Sequence, residues 1–189
     1  DIYSYSYGGW GLYTDEGSSE ILLTHNVVYN TRTGGFHQHY GRENRVVNNI
    51  FAFSQRDQLI RSRDEDHVSF FFENNIVCFS RGNLLGSTWK NGNYVLDKNC
   101  YWDTSGREIT FAGKSFAEWR QAGYDTHSVI ADPGFADIEN RNFALSPDSP
   151  AVALGFEPVD ASEAGLYGDE TWVSRAKNVS RIPAPPKEE

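Results

Sequence analysis

One short segment recurs four times in this chain and limits its fold more than any other feature. Asn26-Val-Val-Tyr-Asn-Thr31, Asn49-Ile-Phe-Ala-Phe-Ser54, Asn75-Ile-Val-Cys-Phe-Ser80 and Asn99-Cys-Tyr-Trp-Asp-Thr104 align without gaps. Each opens with Asn, continues with residues drawn largely from the apolar and aromatic set, and closes with Ser or Thr. The Asn positions are 23, 26 and 24 residues apart. Helical solenoids need ~33 residues or more for two helices per repeat. Here the segments are short, rich in Val, Ile, Phe and Tyr, and bounded by Gly, Asn and Ser, which predicts strand and turn. A period of this length suits one coil of three short strands and three turns. Stacking places equivalent residues ~4.8 Å apart, so each position becomes a ladder, and an Asn ladder lets each amide bond its neighbours.

A second strand repeats with the first. Gly11-Leu12-Tyr13, Gly35-Phe36-His37, Leu59-Ile60-Arg61 and Leu84-Leu85-Gly86 are spaced by 24, 24 and 25 residues. Strand alternation then turns Leu12, Phe36, Ile60 and Leu85 inward and their successors outward. The opening Asp1–Tyr7 fits part of one further coil. The expected architecture is all-β, a right-handed parallel β-helix of about five coils over residues 1–112.

Beyond residue 105 the repeat fades. Ser115–Gly123 starts with Ser, has Glu three residues later and ends in Gly, which predicts a short capped helix. Asp132-Pro-Gly-Phe135, a strand at Asn142–Leu145 and Ser146-Pro-Asp-Ser-Pro150 follow. Residues 113–172 are expected to cap the open end of the stack, which would otherwise leave sheet edges bare. Residues 173–189, with Pro183, Pro185 and Pro186, are expected to form an extended tail.

Composition excludes several function classes. The 189 residues suffice for one continuous core. A formal charge of −9 argues against nucleic acid as a partner, and no apolar run approaches the ~18 residues of a membrane span. The charge is uneven: residues 1–31 contain no Lys or Arg, whereas residues 32–63 hold Arg32, Arg42, Arg45, Arg56, Arg61 and Arg63 against Glu43 and Asp57. This basic band is a candidate anion site or a set of scattered surface charges. Cys78 and Cys100 lack zinc-motif spacing and are expected in the core. No signal peptide opens the chain and it contains no Met. It is therefore expected to be a processed or trimmed product whose partner at the open end is a missing N-terminal portion or a second copy.

The runs Gly9-Trp-Gly-Leu-Tyr-Thr-Asp15-Glu-Gly-Ser-Ser19, Gly34-Gly-Phe-His37-Gln-His39-Tyr-Gly41 and Asp132-Pro-Gly-Phe135 with Ser146-Pro-Asp-Ser-Pro-Ala151 resemble the right-handed parallel β-helix repeat proteins of bacteria. That pectate-lyase-like superfamily includes polysaccharide lyases and several glycoside hydrolase families. The closing Asp-Pro-x-Phe and Ser-Pro pattern marks the fold, while the first two runs look closer to the glycosidase-type members. The resemblance implies a secreted or periplasmic location and a polysaccharide or oligosaccharide substrate.

Carried along the chain at 24 residues, the second strand yields three outward ladders: Tyr13, His37 and Arg61; Asp15, His39 and Arg63; Glu16, Tyr40 and Asp64. Glycoside hydrolysis needs two carboxyl groups at a defined separation. Asp15, Glu16 and Asp64 are the candidate carboxylates, with Asp64 or Glu65 the distant partner of Asp15. His37 and His39 are candidates to hold or orient a proton. Arg61 and Arg63 suit bidentate grip of a uronate or sulfate, or else neutralise nearby Asp residues. Trp10, Tyr13 and Tyr40 are candidate sugar-stacking platforms, with Trp89 beside them if the stack only binds glycan. In a lyase, Arg63 or His39 would be the base and Asp15 and Glu16 would hold Ca²⁺. No cofactor is expected for hydrolysis, no metal site is expected at His37-x-His39, and His25, His67 and His127 are expected to be structural.

Overall fold

The computed structural model describes residues 7–162 and 164–178. Each coil contains three strands. The first holds β1 (Leu12–Thr14), β2 (Leu22–Thr24) and β3 (Val27–Tyr29). The second holds β4 (Phe36–Gln38), β5 (Asn44–Val47) and β6 (Ile50–Ala52). The third holds β7 (Asp57–Arg61), β8 (Phe70–Glu73) and β9 (Ile76–Phe79), and the fourth β10 (Asn83–Ser87), β11 (Val95–Asp97) and β12 (Cys100–Asp103). Strands of successive coils pair in parallel to give three sheets, ordered β1-β4-β7-β10, β2-β5-β8-β11 and β3-β6-β9-β12. The chain is thus a parallel β-solenoid of four coils. About five were expected; the fifth is begun only by β13 (Val129–Ile130) on the edge of β12, and Asp1–Ser6 lies outside the described residues.

The Asn ladder forms as the repeat implies. Asn49, Asn75 and Asn99 are at most 1% exposed. Each side-chain oxygen accepts the backbone N–H of the Asn one coil before it, at 2.9–3.0 Å. Each Nδ2 donates to backbone carbonyls, as Asn49 does to Leu23 and Val47. The ladder therefore satisfies backbone groups at a corner where the ribbon turns between sheets. The residues just before it, His25, Asn48, Asn74 and Lys98, all have φ between 52° and 59°. A single left-handed residue turns the chain sharply, and the Asn bonds hold it there despite a cost of about 1–2 kcal/mol for an L-residue.

Inside the stack, Phe36, Val46, Phe51, Leu59, Phe70, Phe72 and Val77 are essentially inaccessible. The register β1–β4–β7–β10 runs Leu12, Phe36, Leu59, Leu85. Leu59, not Ile60, is the inward residue of the third coil, which corrects the 24-residue extrapolation by one position. Ile60 is buried on the other side, where a methyl group built on Gly34 would meet both its Cδ1 and the Trp10 ring.

The C-terminal region closes the stack and also flanks it. Helix α1 (Phe116–Gln121) has the expected capping box, Ser115 with Glu118, and inserts Trp119 into the interior core beside Tyr94 and Phe111. The hairpin β14 (Phe135–Asp137) and β15 (Asn142–Leu145), with α2 (Pro150–Ala153), packs Phe143, Ala151 and Phe156 on Ile50, Ala52, Ile76, Cys78 and Cys100. Asn48 bonds both backbone groups of Glu157, and Asn74 bonds the carbonyl of Leu154. The segment runs back along the third sheet, covering its outer face as well as the end of the stack. Both cysteines are free and buried, and burial raises each thiol to about 12.

The chain divides into compact units at residues 159 and 160, where a cap–tail boundary was expected after 172. In the second unit, α3 (Glu170–Lys177) is capped by Asp169, so an extended segment from Val173 is corrected to helix. The Pro-rich residues 179–189 lie outside the described residues.

Candidate functional site

All variation in coil length falls at one corner. From Leu22, Arg45 and Phe71 to Val27, Ile50 and Ile76 is always 5 residues. From those to Phe36, Leu59 and Leu85 is always 9. The turn from Thr14, Gln38, Arg61 and Ser87 to Leu22, Arg45, Phe71 and Val95 is instead 8, 7, 10 and 8 residues long. Two corners are invariant scaffold, and the third carries variable loops on it, the usual place for function. Asp15, Glu16, His39, Tyr40, Arg63 and Asp64 all belong to this corner.

The observed register redraws the three expected ladders. Tyr13, His37 and Ile60 align on the outward face. Thr14, Gln38 and Arg61 align inward and are at most 4% exposed. Arg61 is wholly buried: it bonds Ser69 Oγ through Nε and Nη2, pairs with Asp64 through Nη1, and lies over the Tyr94 ring. Its expected role as an outward ligand for substrate is corrected to that of an internal strut. Past the strands, backbone bonds from His39 to Thr14 and from Ser62 to Gln38 place Asp15, His39 and Ser62 in one row. Arg63, expected beside His39, instead lies over the Tyr40 ring at 4.4 Å. That row is therefore Glu16, Tyr40 and Arg63, with Arg63 where Asp64 was expected.

Asp64 is drawn away from this patch. One carboxyl oxygen accepts from Arg61 and the other from Thr88 Oγ1 at 2.9 Å. Glu65 caps the Gly41 amide at 2.9 Å. Trp89 is 6% exposed and donates to the Gly86 carbonyl, which removes it as a surface platform.

What remains is a compact polar and aromatic patch. Trp10 lies 4.3 Å from Tyr13 and 4.7 Å from His37, centroid to centroid, and Tyr13 lies 4.8 Å from His37. Tyr13 Oη donates to the exposed Asp15 carboxylate at 2.8 Å. That hydrogen bond is the main reason the Asp15 pKa is lowered, with the two histidines adding to it. The Tyr13 hydroxyl is correspondingly pushed up, by burial first and Asp15 second. His39 Nε2 is 3.8 Å from a Glu16 oxygen, and the Tyr40 hydroxyl is raised by burial and by Glu16. His37 is 5% exposed and its pKa falls to about 4, chiefly because burial penalises its charged form. Its Nε2 is 2.5 Å from Ser62 Oγ, and its Nδ1 has no partner. Ser62 escaped the sequence reading, because the 24-residue offset put Arg63 in its place; the 23-residue spacing between Asn26 and Asn49 was the available signal.

No family model, curated protein or solved structure matches this chain.

Elsewhere the histidines have partners of their own: His25 with Glu157 at 3.3 Å, His67 with Glu65 at 3.5 Å and His127 with Asp97 at 2.7 Å. Among the described residues, no three His, Cys, Asp or Glu side chains converge as metal ligands, and no helix is long and apolar enough to cross a membrane.

Proposed function

We propose that this β-solenoid is a carbohydrate-active enzyme that hydrolyses glycosidic bonds in a polysaccharide or oligosaccharide outside the cell. The observation that carries the reading is Asp15: an exposed carboxylate kept ionised by Tyr13, bordered by aromatic rings and by the Glu16–His39 pair. Hydrolysis requires two carboxyl groups in different roles, one ionised and one delivering a proton. Asp15 is suited to the first role, assisting water or the developing positive charge at the anomeric carbon. Glu16 is the neighbouring carboxyl group placed for the second, passing a proton to the leaving oxygen as the C–O bond breaks. Trp10 and Tyr40 offer faces on which sugar rings stack. Arg63, exposed and held over Tyr40, is free to bind hydroxyl or carboxylate substituents.

Arg63 also supports a second reading, β-elimination from a uronate, in which a cation neutralises the carboxylate and Arg63 or His39 removes the C5 proton. The Ca²⁺ that such lyases use finds a poor fit here. Asp15 and Glu16 fall short of the six to eight oxygen ligands calcium takes, and among the described residues no third acidic side chain converges on them.

Digestion of a panel of neutral and uronate-containing polysaccharides, read by mass and by ultraviolet absorbance, separates the readings. Saturated products that drop by about 10³-fold or more in Asp15→Asn support hydrolysis, the scale of losing one essential group. Unsaturated, absorbing products mean elimination. No product, with glycan binding kept in the variant, means a stack that binds without turnover.

A further inference from the structure

A second polar site lies at the opposite edge of the β1-β4-β7-β10 sheet, at the corner that leads into these strands. There, Phe53, Ser54, Gln55, Ser80, Arg81 and Arg141 line an open cleft of about 440 Å³, and no acidic residue lines it. Arg141 comes from the β14–β15 hairpin and crosses to the stack. Its guanidinium lies 4.2 Å over the Phe53 ring and donates to the Ile138 carbonyl at 2.7 Å and to Asn30 Oδ1 at 3.2 Å. These partners are all neutral. Among the described residues Arg141 pairs with no carboxylate, and its Nε is buried with no acceptor.

A guanidinium fixed in place and partly removed from water, with no counter-charge, is an unfavourable arrangement that a bound anion relieves. Three more donors converge on the same cleft: the exposed Arg81 guanidinium, the Ser80 hydroxyl and the Gln55 amide. No side-chain hydrogen bond ties any of them within the described residues. Ser54 forms the floor, its hydroxyl spent on the Asp57 carbonyl. The hydroxyl of Thr31, whose carbonyl accepts the Gln55 backbone N–H, is also buried without a partner.

The backbone is also left-handed at this corner. Phe53 and Arg141 both stand in the left-handed region, at φ 57° and 61°. A bulky residue there is uncommon, and glycine or asparagine would relieve the strain. Both strained residues bring their side chains to this cleft, Phe53 as the flat base and Arg141 on top of it.

We propose that this cleft is an oxyanion-binding site, taking a carboxylate or sulfate group between Arg81 and Arg141 with Ser80 and Gln55 as further donors. Two guanidiniums suit the planar, bidentate geometry of such groups. Its position makes it separate from the Asp15 patch, and it does not depend on hydrolysis. The anion can be free or be a substituent on a saccharide.

Calorimetric titration of the intact chain at constant ionic strength tests this, with sodium sulfate, an oligo-uronate and a neutral oligosaccharide as probes. Saturable sulfate binding is expected, weakened about tenfold or more by Arg81→Gln. Arg81 is exposed, so this change does not threaten the fold; Arg141→Gln is the second variant. Arg63→Gln and Asp15→Asn are expected to leave sulfate affinity unchanged, which keeps this site distinct from the Asp15 patch. Uronate binding with the same Arg81 dependence and tighter affinity than sulfate identifies a saccharide substituent as the source; equal affinity identifies a free anion. Absence of saturable sulfate and uronate binding overturns the proposal. So does binding that Arg63→Gln weakens and Arg81→Gln leaves intact.

Discussion

Tyr13 and Asp15 lie on the same outward side of one strand end, and the hydroxyl between them sets the charge of the carboxylate. Because the hydrogen bond favours ionised Asp15, the proposed hydrolytic activity should persist to lower pH than an unassisted carboxylate would allow. In Tyr13→Phe the Asp15 pKa rises toward its ordinary value, and the acid limb of the kcat/KM profile moves to higher pH with the folded state unchanged. His37 works in the opposite direction on stability. Its folded pKa of about 4 lies below the ordinary histidine value, so the unfolded chain takes up the proton first as pH falls. Stability that is whole above pH ~6.5 is lost between there and pH ~4, by about 3 kcal/mol. Denaturant unfolding at several pH values should show this slope in the wild type and a flatter one in His37→Gln. Coincident slopes would mean the imidazole is hydrated in the folded protein.

Strands of three to five residues cannot persist alone; each is defined by the row of equivalents above and below it. The row Leu12, Phe36, Leu59, Leu85 shows how a register is chosen when the sequence is ambiguous. Gln58-Leu59-Ile60-Arg61 offers two adjacent apolar residues, and alternation alone accepts either as the inward one. Packing selects Leu59, which turns Arg61 inward as well, and this is tolerable only because Ser69, Asp64 and Tyr94 meet its guanidinium. Leu59→Ala should cost about 2–5 kcal/mol, the range for emptying a core leucine. Ile60→Ala should cost less, since Ile60 lies outside the interior cluster and borders Trp10 and Gly34. Equal losses in equilibrium unfolding would contradict the assigned register.

A stack of coils is close to one-dimensional: each level holds only its neighbours, so the two ends decide whether it frays. At the C-terminal end Trp119 fills the last level. Below it Asp125, fully buried, gathers hydrogen bonds from Asn99, Tyr101, Trp119 and Ser128. Burial raises the Asp125 pKa although all four donors pull it down. Thus the Asn ladder, the core and the helical cap meet on one carboxyl group. Trp119→Ala should destabilise by about 3–5 kcal/mol, and hydrogen exchange should quicken in β10–β12 before it does in β4–β6. Uniform quickening across all coils would indicate that the first unit opens only as a whole.

Much of this architecture is written locally. The Asn period, the apolar triplets that follow it and the Ser115–Glu118 capping box each act through near neighbours or through identical copies, so they can be read in one dimension. Even the register was recoverable, because the Asn spacings of 23 and 26 reappear between Phe36, Leu59 and Leu85. The aromatic and acidic residues of the candidate patch were likewise visible as outward positions in consecutive coils. Contacts between distant segments were not. That residues 135–157 run back along the third sheet depends on Phe143 and Phe156 finding the outer face of Ile50, Ile76 and Cys100. That Arg141 meets Asn30 and Phe53 across a long stretch of chain depends on the same docking. Periodicity reports which side of a strand a residue takes, whereas only packing decides what covers that side. The solenoid was therefore legible in the sequence, and the flanking segment with its arginine cleft was decided by tertiary contacts.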